Sequence, residues 1–332
     1  MEPMTYASAG VNIERAESFV ARLKQRATRA GHKQMWSGAG GYASVYPVSG
    51  DIGVAVTTDG VGTKLLVAHE LNNHKTIGID LVAMVANDLI CVGATPTMFL
   101  DYFAVGKLQD GLADDIIEGI VEGCDRAGMI LAGGETAEMP GLYEGDHYDL
   151  AGFAVGHVPK AELLTGEAIK PGQAVVGVGS SGIHSNGLSL ARKALANNRP
   201  AYEKLVIPTY IYVRPAVELL QQHKGAVTGI VHVTGGGWRN LFRLNPMVGF
   251  EIDAPLPVPE VLAEIAHHVA LEEMYRTFNM GMGLAVIVDP AVAPIAVEKF
   301  RAAGFVSQVV GKTTDKPKSL FLEPLNLTIN DE

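Results

Sequence analysis

The sequence is poor in cysteine and has no excess of positive charge. Among its 332 residues are only two cysteines, Cys91 and Cys124, both in apolar segments. Two cysteines in such segments are typical of free core thiols in a reducing compartment and argue against a disulfide framework. No Cys/His spacing resembles a zinc site. Acidic residues outnumber basic ones, 36 against 26, which gives a net charge of −10. This balance argues against nucleic acid or an anionic membrane as a partner, since both require a basic surface.

Long apolar runs are lacking as well. The N-terminal segment has no apolar signal region, and no stretch reaches membrane-spanning length. We therefore predict a soluble, cytoplasmic protein. With 48% hydrophobic and 19% charged residues, the chain can bury a large core. Its length is sufficient for two domains or one large one.

Glycine, by contrast, repeatedly follows short apolar runs. The first of these junctions follows a predicted strand at residues 52–56 and contains one carboxylate, two glycines and a Thr-Lys pair: Asp59, Gly60, Gly62, Thr63 and Lys64. Glycine permits a tight turn and brings backbone N–H groups close to a ligand. Asp59 is a candidate ligand for a divalent cation, and Lys64 can neutralise a phosphate. The order of residues differs from that of a P-loop, and a plain Asp-Gly turn is the alternative.

A strongly apolar segment at residues 78–92 predicts a buried helix that nevertheless carries polar side chains. At about 3.6 residues per turn, Asp80 and Asn87 share a face and Asp88 lies beside them. Buried carboxylates require a cation, a metal or hydrogen-bond donors. Capping or structural ion pairing is one interpretation, and a functional carboxylate is favoured for Asp88.

Three further junctions of a strand and a glycine loop carry polar groups. Residues 133–141 contain Glu135, residues 180–187 contain His184, and residues 234–237 follow His232. The segment 177–182 also matches G-x-G-x-x-G, but no acidic residue ends a second strand as a dinucleotide site requires, so we interpret it as an anion cradle. A polar stretch at residues 159–172 predicts the boundary between two domains, 1–165 and 166–332.

These motifs together resemble the aminoimidazole ribonucleotide synthetase family, also called phosphoribosylformylglycinamidine cyclo-ligase. The resemblance extends from about Tyr6 to the last strands. It rests on six segments: residues 58–65, 76–88, 100–108, 133–141, 182–187 and 273–283.

The resemblance implies an α+β fold of two α/β domains. The N-terminal domain would bind ATP and pair its sheet with that of a second copy, forming a homodimer with a barrel-like core. The C-terminal domain would be an α/β sandwich that contributes glycine-rich substrate loops. The implied reaction is the Mg²⁺- and ATP-dependent closure of formylglycinamidine ribonucleotide to aminoimidazole ribonucleotide, with release of ADP and phosphate, in purine biosynthesis.

The resemblance also implies roles for individual residues. The catalytic candidates are Asp88, His184 and His232. The candidates for contact with ATP and phosphate are Asp59, Gly60, Gly62, Thr63 and Lys64. The candidates for contact with the ribonucleotide are Gly182, Ser185, Asn186, Gly235, Gly236, Gly237 and Asn279. The carboxylates expected to bind Mg²⁺ are Asp59, Asp88 and Glu135.

The chain departs from the usual family pattern at residues 6–13, an N-terminal lid that here lacks a lysine and two acids. The contacts of this lid with ATP are therefore expected to differ. The alternatives are another ATP-dependent phosphorylating enzyme of the same superfamily, such as a selenophosphate synthetase or a thiamine-monophosphate kinase, and a non-catalytic nucleotide-binding relative. A nicotinamide oxidoreductase ranks last.

Overall fold

The computed structural model describes residues 4–10, 13–27, 34–38 and 41–330. The α-helices within these ranges are α1 (Ile13–Ala27), α2 (Lys64–Leu71), α3 (Ile77–Cys91), α4 (Asp110–Ala127), α5 (Leu188–Ala194), α6 (Arg199–Glu203), α7 (Val213–Gln222), α8 (Glu260–Ala266), α9 (Leu271–Thr277) and α10 (Ala293–Ala302). The strands are β1 (Ser44–Ser49), β2 (Ile52–Gly60), β3 (Thr95–Val105), β4 (Ile130–Glu138), β5 (Tyr148–Pro159), β6 (Ala174–Gly179), β7 (Val227–His232), β8 (Gly249–Ile252), β9 (Met282–Val288), β10 (Ser307–Thr314), β11 (Ser319–Leu322) and β12 (Leu327–Asn330). None of the helices in the described ranges is both long and apolar enough to cross a lipid bilayer.

The first half of the chain forms a five-stranded sheet in the order β1-β2-β5-β3-β4. Strands β3 and β4 run parallel, because α4 connects them as a crossover, and the other neighbours are antiparallel. Helix α3 packs against one face of this sheet and is buried along nearly its whole length. The predicted buried helix is therefore confirmed.

Helices α3 and α4 pack unusually close together through facing glycines. A Cβ added to Gly78 would lie 2.3 Å from the Ile120 backbone nitrogen, and one added to Gly119 would lie 2.4 Å from the Lys75 carbonyl oxygen. Any side chain at either position would push the helices apart. This close contact holds α3, which carries Asp80, Asn87 and Asp88, in a fixed position against the sheet.

The other face of the first sheet exposes apolar side chains in register across its strands. Val56 pairs with Val155, Val155 with Met98, and Met98 with Ile130. In a neighbouring row, Phe153 pairs with Leu100. Exposure is 43% at Val56, 41% at Met98, 68% at Ile130, 42% at Phe153 and 37% at Leu100. We call the surface formed by these residues the open sheet face.

The second half forms a seven-stranded sheet in the order β12-β11-β8-β10-β6-β9-β7. Among the described strands of this sheet only the β8–β11 pair is parallel. Strands β6, β9 and β7 are completely buried, although β7 lies at one end of the strand order. Strand β6 has antiparallel neighbours on both sides, β10 and β9. A dinucleotide-binding βαβ unit requires parallel neighbours, so this topology excludes the nicotinamide alternative.

Two mixed sheets with helices confirm the α+β class. The predicted domain boundary at residues 165/166 falls in the segment between β5 and β6 and stays a prediction.

Two strands are longer than expected from the glycines in their sequences. Strand β2 continues through Asp59 to Gly60, and β4 continues through Gly133 and Glu135 to Glu138. The expected glycine loop at residues 133–141 is thus largely a strand, because its backbone pairs with β3 and absorbs one extra residue as a bulge near Gly133.

Candidate active site

A cleft of about 530 Å³ is lined by residues from both halves of the chain. The first half of the chain contributes the end of β2, the turn to α2 and the start of β5. The second half contributes the loop that precedes α5, including Ser185 and Asn186, and Tyr6 of the N-terminal segment closes one side. The predicted residues Asp59, Gly60, Gly62 and Thr63 all line this cleft.

Two carboxylates and a histidine meet at the base of the β2–α2 junction. The pKa of Asp59 is raised to about 6, chiefly by burial and then by the Asp88 carboxylate, while the Gly60 N–H and His232 act in the opposite direction. Solvent still reaches Asp59 through the cleft. Neighbouring carboxylates repel each other where they are partly desolvated. A cation bound between Asp59 and Asp88 would relieve this repulsion.

His232 is completely buried and is oriented by polar groups of α3. Its Nδ1 lies 2.9 Å from Asp88 Oδ1, and its Nε2 lies 3.5 Å from Asn87 Nδ2. The Asn87 side-chain oxygen Oδ1 in turn accepts from the Tyr212 backbone N–H at 2.9 Å. This arrangement favours the Nδ1–H tautomer, in which Asp88 accepts the proton and Nε2 keeps its lone pair. Asp88 and His232 therefore form one hydrogen-bonded unit, as a catalytic pair requires.

Lys64 does not face the cleft. Its side chain is fully buried, and its Nζ contacts both oxygens of Asp80, Oδ1 at 2.9 Å and Oδ2 at 2.8 Å. It also donates to the carbonyl oxygens of Ile207 at 2.7 Å and His184 at 3.3 Å. The predicted contact of Lys64 with phosphate does not agree with this geometry, because all its donors are used within the protein. Of the two interpretations of Asp80, structural ion pairing is the one observed.

The Lys64–Asp80 pair also fixes the loop that brings the second half of the chain to the cleft. Asp80 Oδ1 accepts from Ser185 Oγ at 3.0 Å and from both the backbone N–H and the hydroxyl of Thr209, at 2.7 and 2.6 Å. Ser185 is thereby held by its hydroxyl, and the adjacent Asn186 lines the cleft. Ser185 has a positioning role in this structure.

His184 adopts a left-handed backbone conformation, with φ of 61°, and is buried. Its Nε2 accepts from the Ser181 N–H at 3.2 Å, while its Nδ1 has no hydrogen-bond partner. Burial, together with the nearby His232 and Lys64, lowers the pKa of His184 well below its ordinary value. His184 is therefore a neutral imidazole that carries an unsatisfied N–H.

The remaining predicted substrate residues lie in three interlocked loops. Asn279 donates from Nδ2 to the Gly182 carbonyl at 2.8 Å, and its backbone carbonyl oxygen accepts from Trp238 Nε1 at 2.8 Å. A Cβ added to Gly235 would lie 3.0 Å from Asn186 Oδ1. The triple-glycine loop also includes Gly236 and Gly237, both with positive φ. These contacts bring the predicted ribonucleotide loops together beside the cleft, and the amide nitrogen of Asn186 is buried with no partner.

Glu135 is not brought to the other predicted metal ligands within one chain. It pairs with Tyr102 of β3, Tyr102 pairs with Ala151 of β5, and Ala151 pairs with Gly60 of β2. Glu135 is therefore three inter-strand spacings away from the end of β2. At about 4.8 Å per strand this amounts to roughly 14 Å. Glu135 is exposed on the edge strand β4, which corrects its assignment beside Asp59 and Asp88.

The donor set at the cleft suits Mg²⁺ better than a transition metal. No group of three His, Cys, Asp or Glu side chains in the described ranges could hold a metal by itself. Mg²⁺ typically takes one or two carboxylates and completes its shell with substrate phosphates and water. The mutual repulsion of Asp59 and Asp88 is what such an ion would neutralise, so these residues fit Mg²⁺ in the presence of a polyphosphate.

Two features of the site had no clear signal in the sequence. Asp149, at the start of β5, adds a second carboxylate to the cleft wall beside Asp59, and Lys64 binds a residue 16 positions later in the chain. Both features depend on contacts between segments that are separated in the sequence. To predict them, one would need to know the register of β5 in the sheet and the packing of α2 against α3.

Comparisons with known proteins place the chain among enzymes of one type. Residues 40–158 match the family model of AIR synthase related protein, N-terminal domain, and residues 170–322 match that of its C-terminal domain. The chain is 43% identical to the phosphoribosylformylglycinamidine cyclo-ligase of Carboxydothermus hydrogenoformans, covering 95% of this chain and 97% of the relative. It is 44% identical to the protein of the same name from Magnetococcus marinus, covering 94% and 93%.

The fold also matches solved structures at lower sequence identity. The hydrogenase maturation protein HypE, solved in complex with ATP, superposes with a TM-score of 0.63 at 16% identity, covering 87% of this chain and 86% of that one. At this level of identity the similarity concerns the fold alone.

Proposed function

The chain belongs to the phosphoribosylformylglycinamidine cyclo-ligase family, ATP-dependent ligases of purine biosynthesis, and from this membership we propose how its interdomain cleft carries out the reaction. The ribonucleotide substrate carries a formamide whose oxygen is a poor leaving group. Transfer of the γ-phosphoryl group of ATP to that oxygen converts it into a phosphate leaving group. A nitrogen of the same molecule then attacks the activated carbon, and phosphate departs with the former amide oxygen as the ring closes.

Phosphoryl transfer depends mainly on positioning and on neutralisation of charge. Asp59 and Asp88 would hold Mg²⁺, which supplies positive charge to the phosphates of ATP. The glycine backbone at Gly60 and Gly62, together with Thr63, would face the phosphate oxygens. Lys64 would not contact the phosphates, because its ammonium group is paired with Asp80.

The Asp88–His232 unit would serve the amide half of the reaction. Its Nδ1–H is held by Asp88 at 2.9 Å, which leaves Nε2 as the basic atom. We propose that this nitrogen accepts the proton that the attacking nitrogen loses on ring closure. The unsatisfied N–H of His184 would instead donate a hydrogen bond to an oxygen of the bound substrate.

The observation that carries the proposal is the meeting of Asp59, Asp88 and His232 beside the ribonucleotide loops. Ser185 and Asn186, held through Asp80, would contact the ribonucleotide from one side. The triple-glycine loop and the loop anchored by Asn279 would enclose it from the other side. The neighbour HypE was solved in complex with ATP, which supports nucleotide binding by this fold.

We further propose that the active form is a homodimer built on the open sheet face. Contiguous exposed apolar surface on a soluble protein marks an interaction site. The rows Val56–Val155–Met98–Ile130 and Phe153–Leu100 are apolar across four and two strands respectively. Pairing two such faces would bury both and produce the barrel-like core that the family resemblance implies.

The alternative functions fit the site less well. A selenophosphate synthetase requires a reactive cysteine, whereas Cys91 and Cys124 are both buried and burial raises the pKa of each thiol. A non-catalytic nucleotide-binding protein would have no need for a histidine oriented by a carboxylate. The cleft therefore supports a catalyst more strongly than a binding module.

The proposal is tested by measuring ADP formation with Mg-ATP in the presence and absence of formylglycinamidine ribonucleotide. We expect ADP formation that depends on the ribonucleotide. Asp59→Asn should reduce the rate by about a hundredfold or more, in line with loss of a preorganised electrostatic contact, while the folded state persists. Ribonucleotide-independent ADP formation, or a normal rate in Asp59→Asn, would contradict the proposal.

A further inference from the structure

A second cavity, of about 590 Å³, lies directly beside the cleft. Thr63 and Ser189 line both cavities, and their hydroxyl oxygens are 3.1 Å apart. The two cavities thus adjoin at this hydroxyl pair. We call the second one the basic pocket, because its charged lining residues are Arg192, Lys193, Arg199 and Glu70.

The basic pocket is a local exception to the charge of the chain. Three cationic side chains and one carboxylate give its lining a formal charge of +2, on a protein whose net charge is −10. The carboxylate is already bound within the wall, since Glu70 accepts from Tyr202 Oη at 2.6 Å and from Arg199 at 3.1 Å. Arg192 has a buried Nε without a hydrogen-bond partner. Such a guanidinium nitrogen lacks an acceptor that an anionic ligand would supply.

The chemistry of these groups selects a phosphate. Arginine forks match the geometry of phosphate oxygens and form short, charge-assisted hydrogen bonds to them. The two reactants of the proposed reaction, ATP and the ribonucleotide, differ in the charge of the end that is remote from the reacting atoms. ATP would place its phosphates at the Mg²⁺ that Asp59 and Asp88 would hold, and its other end is a neutral adenine. The ribonucleotide, by contrast, ends in a dianionic phosphate monoester.

We propose that the basic pocket binds the 5′-phosphate of the ribonucleotide substrate, with Arg192 as the principal contact and Arg199 and Lys193 as supporting charges. This inference rests on the proposed function. It places the formamide in the cleft, near Asp88 and His232, and the phosphate on the far side of the Thr63–Ser189 pair. The bound molecule would therefore extend across the boundary between the two cavities.

The N-terminal segment covers both parts of this extended site. Tyr6 lines the cleft and Ala9 lines the basic pocket. Lys193 Nζ donates to the Ser8 carbonyl at 2.8 Å, and the Tyr6 N–H donates to Glu273 at 2.7 Å. A phosphate that draws Lys193 inward would compete with the bond to Ser8, so the segment is coupled to occupancy of the pocket.

The decisive variants are Arg192→Gln and Arg199→Gln, each compared with wild type in steady-state kinetics. Loss of one charge-assisted contact should raise KM for the ribonucleotide about tenfold or more. Both kcat and KM for ATP should remain nearly unchanged, because the contact is equal in the ground and transition states. Arg126→Gln is the matched control, since Arg126 forms the same kind of exposed i,i+4 pair with Glu122 that Arg199 forms with Glu203.

A binding measurement separates this inference from the proposed reaction. Calorimetric titration with ribose 5-phosphate should show binding to wild type and to Arg126→Gln, and at least tenfold weaker binding to the two pocket variants. Unchanged binding of ribose 5-phosphate in both pocket variants, or a rise confined to KM for ATP, would overturn the inference. If ribose 5-phosphate binds as expected but no ribonucleotide-dependent ADP appears, the pocket stands and the proposed reaction fails.

Discussion

Lys64 is the residue whose role depends most on tertiary structure. Its ammonium group and the Asp80 carboxylate are both completely inaccessible to solvent. Burial lowers the pKa of Lys64, and Asp80 opposes that effect. An isolated charge at this depth would be very costly, so the two residues depend on each other. The pair also receives donors from Ser185 and Thr209, which makes it the polar centre of the interface between the two halves of the chain.

We predict that Lys64→Met lowers the free energy of unfolding by about 3–5 kcal/mol, because Asp80 is left buried without its cation. Urea denaturation followed by circular dichroism measures this change. Lys75→Met is the control, since Lys75 and Glu118 form a pair that is 61% and 62% exposed, and an exposed pair of this kind contributes little to stability. Adding Asp80→Asn to Lys64→Met should recover part of the loss. Unchanged stability of Lys64→Met together with weaker ATP binding would restore the phosphate interpretation.

Individual site residues could be predicted from the sequence, but their grouping could not. Asp59, Asp88 and His232 stand out because each is a polar residue at the end of, or inside, an apolar element. Their proximity depends on how α3 packs against both sheets. Glu135 has the same local signal as Asp59, yet the strand order places it at the opposite edge of the first sheet. A motif on a strand does not reveal which strands will be its neighbours.

At the scale of elements, the glycine-rich segments behaved differently from one another. Glycine after an apolar run predicts a break, and this is correct after β6 and β7, where loops follow. It is wrong for β4, where pairing with β3 carries the strand through two glycines to Glu138. Hydrogen bonds to a neighbouring strand can therefore offset the low strand propensity of glycine, and the neighbour is not visible in the local sequence.

A group of aromatic rings links α2 to the start of β5. His69 stacks on His147 with ring centroids 4.6 Å apart, and His74 Nδ1 lies 2.9 Å from the Tyr148 hydroxyl. Burial lowers the pKa of both His69 and His74. His147 lowers the pKa of His69 further, and Asp146 opposes the shift. His69 lowers the pKa of His74 further, and Asp115 and Asp146 oppose the shift. These imidazoles stay neutral in the folded protein at pH values where the unfolded chain already binds protons.

We therefore predict that stability falls as the pH drops below about 6.5, the pKa of an unperturbed histidine. The unfolded state binds more protons there, so acidification favours unfolding. Thermal unfolding measured between about pH 7.5 and about pH 5.5 should show a smaller decrease in Tm for His69→Gln than for wild type. His267→Gln, at an exposed position, should match wild type. Equal pH dependence in His69→Gln and wild type would exclude this cluster as the cause.

At the scale of the molecule, the two faces of the first sheet differ sharply. One face is covered by α3 and α4, and the other is the open sheet face, with Ile130 68% exposed. The sequence already shows that β3 and β5 have apolar side chains on both of their faces. It does not show that these residues form one exposed surface, because that depends on which strands are neighbours in the sheet.

We predict that Phe153→Asp converts the protein from a dimer to a monomer, because a carboxylate would be buried without a partner at the interface. Light scattering coupled to size-exclusion chromatography gives the mass directly. Met247→Asp, at a residue that is 70% exposed on the second half of the chain, should leave the mass unchanged. A monomeric wild-type protein, or a dimeric Phe153→Asp variant, would argue against the open sheet face as the interface.

We propose that the cleft, at the scale of the whole reaction, activates the formamide oxygen of the ribonucleotide by phosphorylation. Formylglycinamidine ribonucleotide labelled with ¹⁸O in its formyl group tests this most directly, with the released phosphate analysed by mass spectrometry. Because the oxygen leaves bonded to phosphorus, we predict one ¹⁸O atom in each phosphate formed along with ADP. Unlabelled phosphate accompanying ring closure would contradict the account.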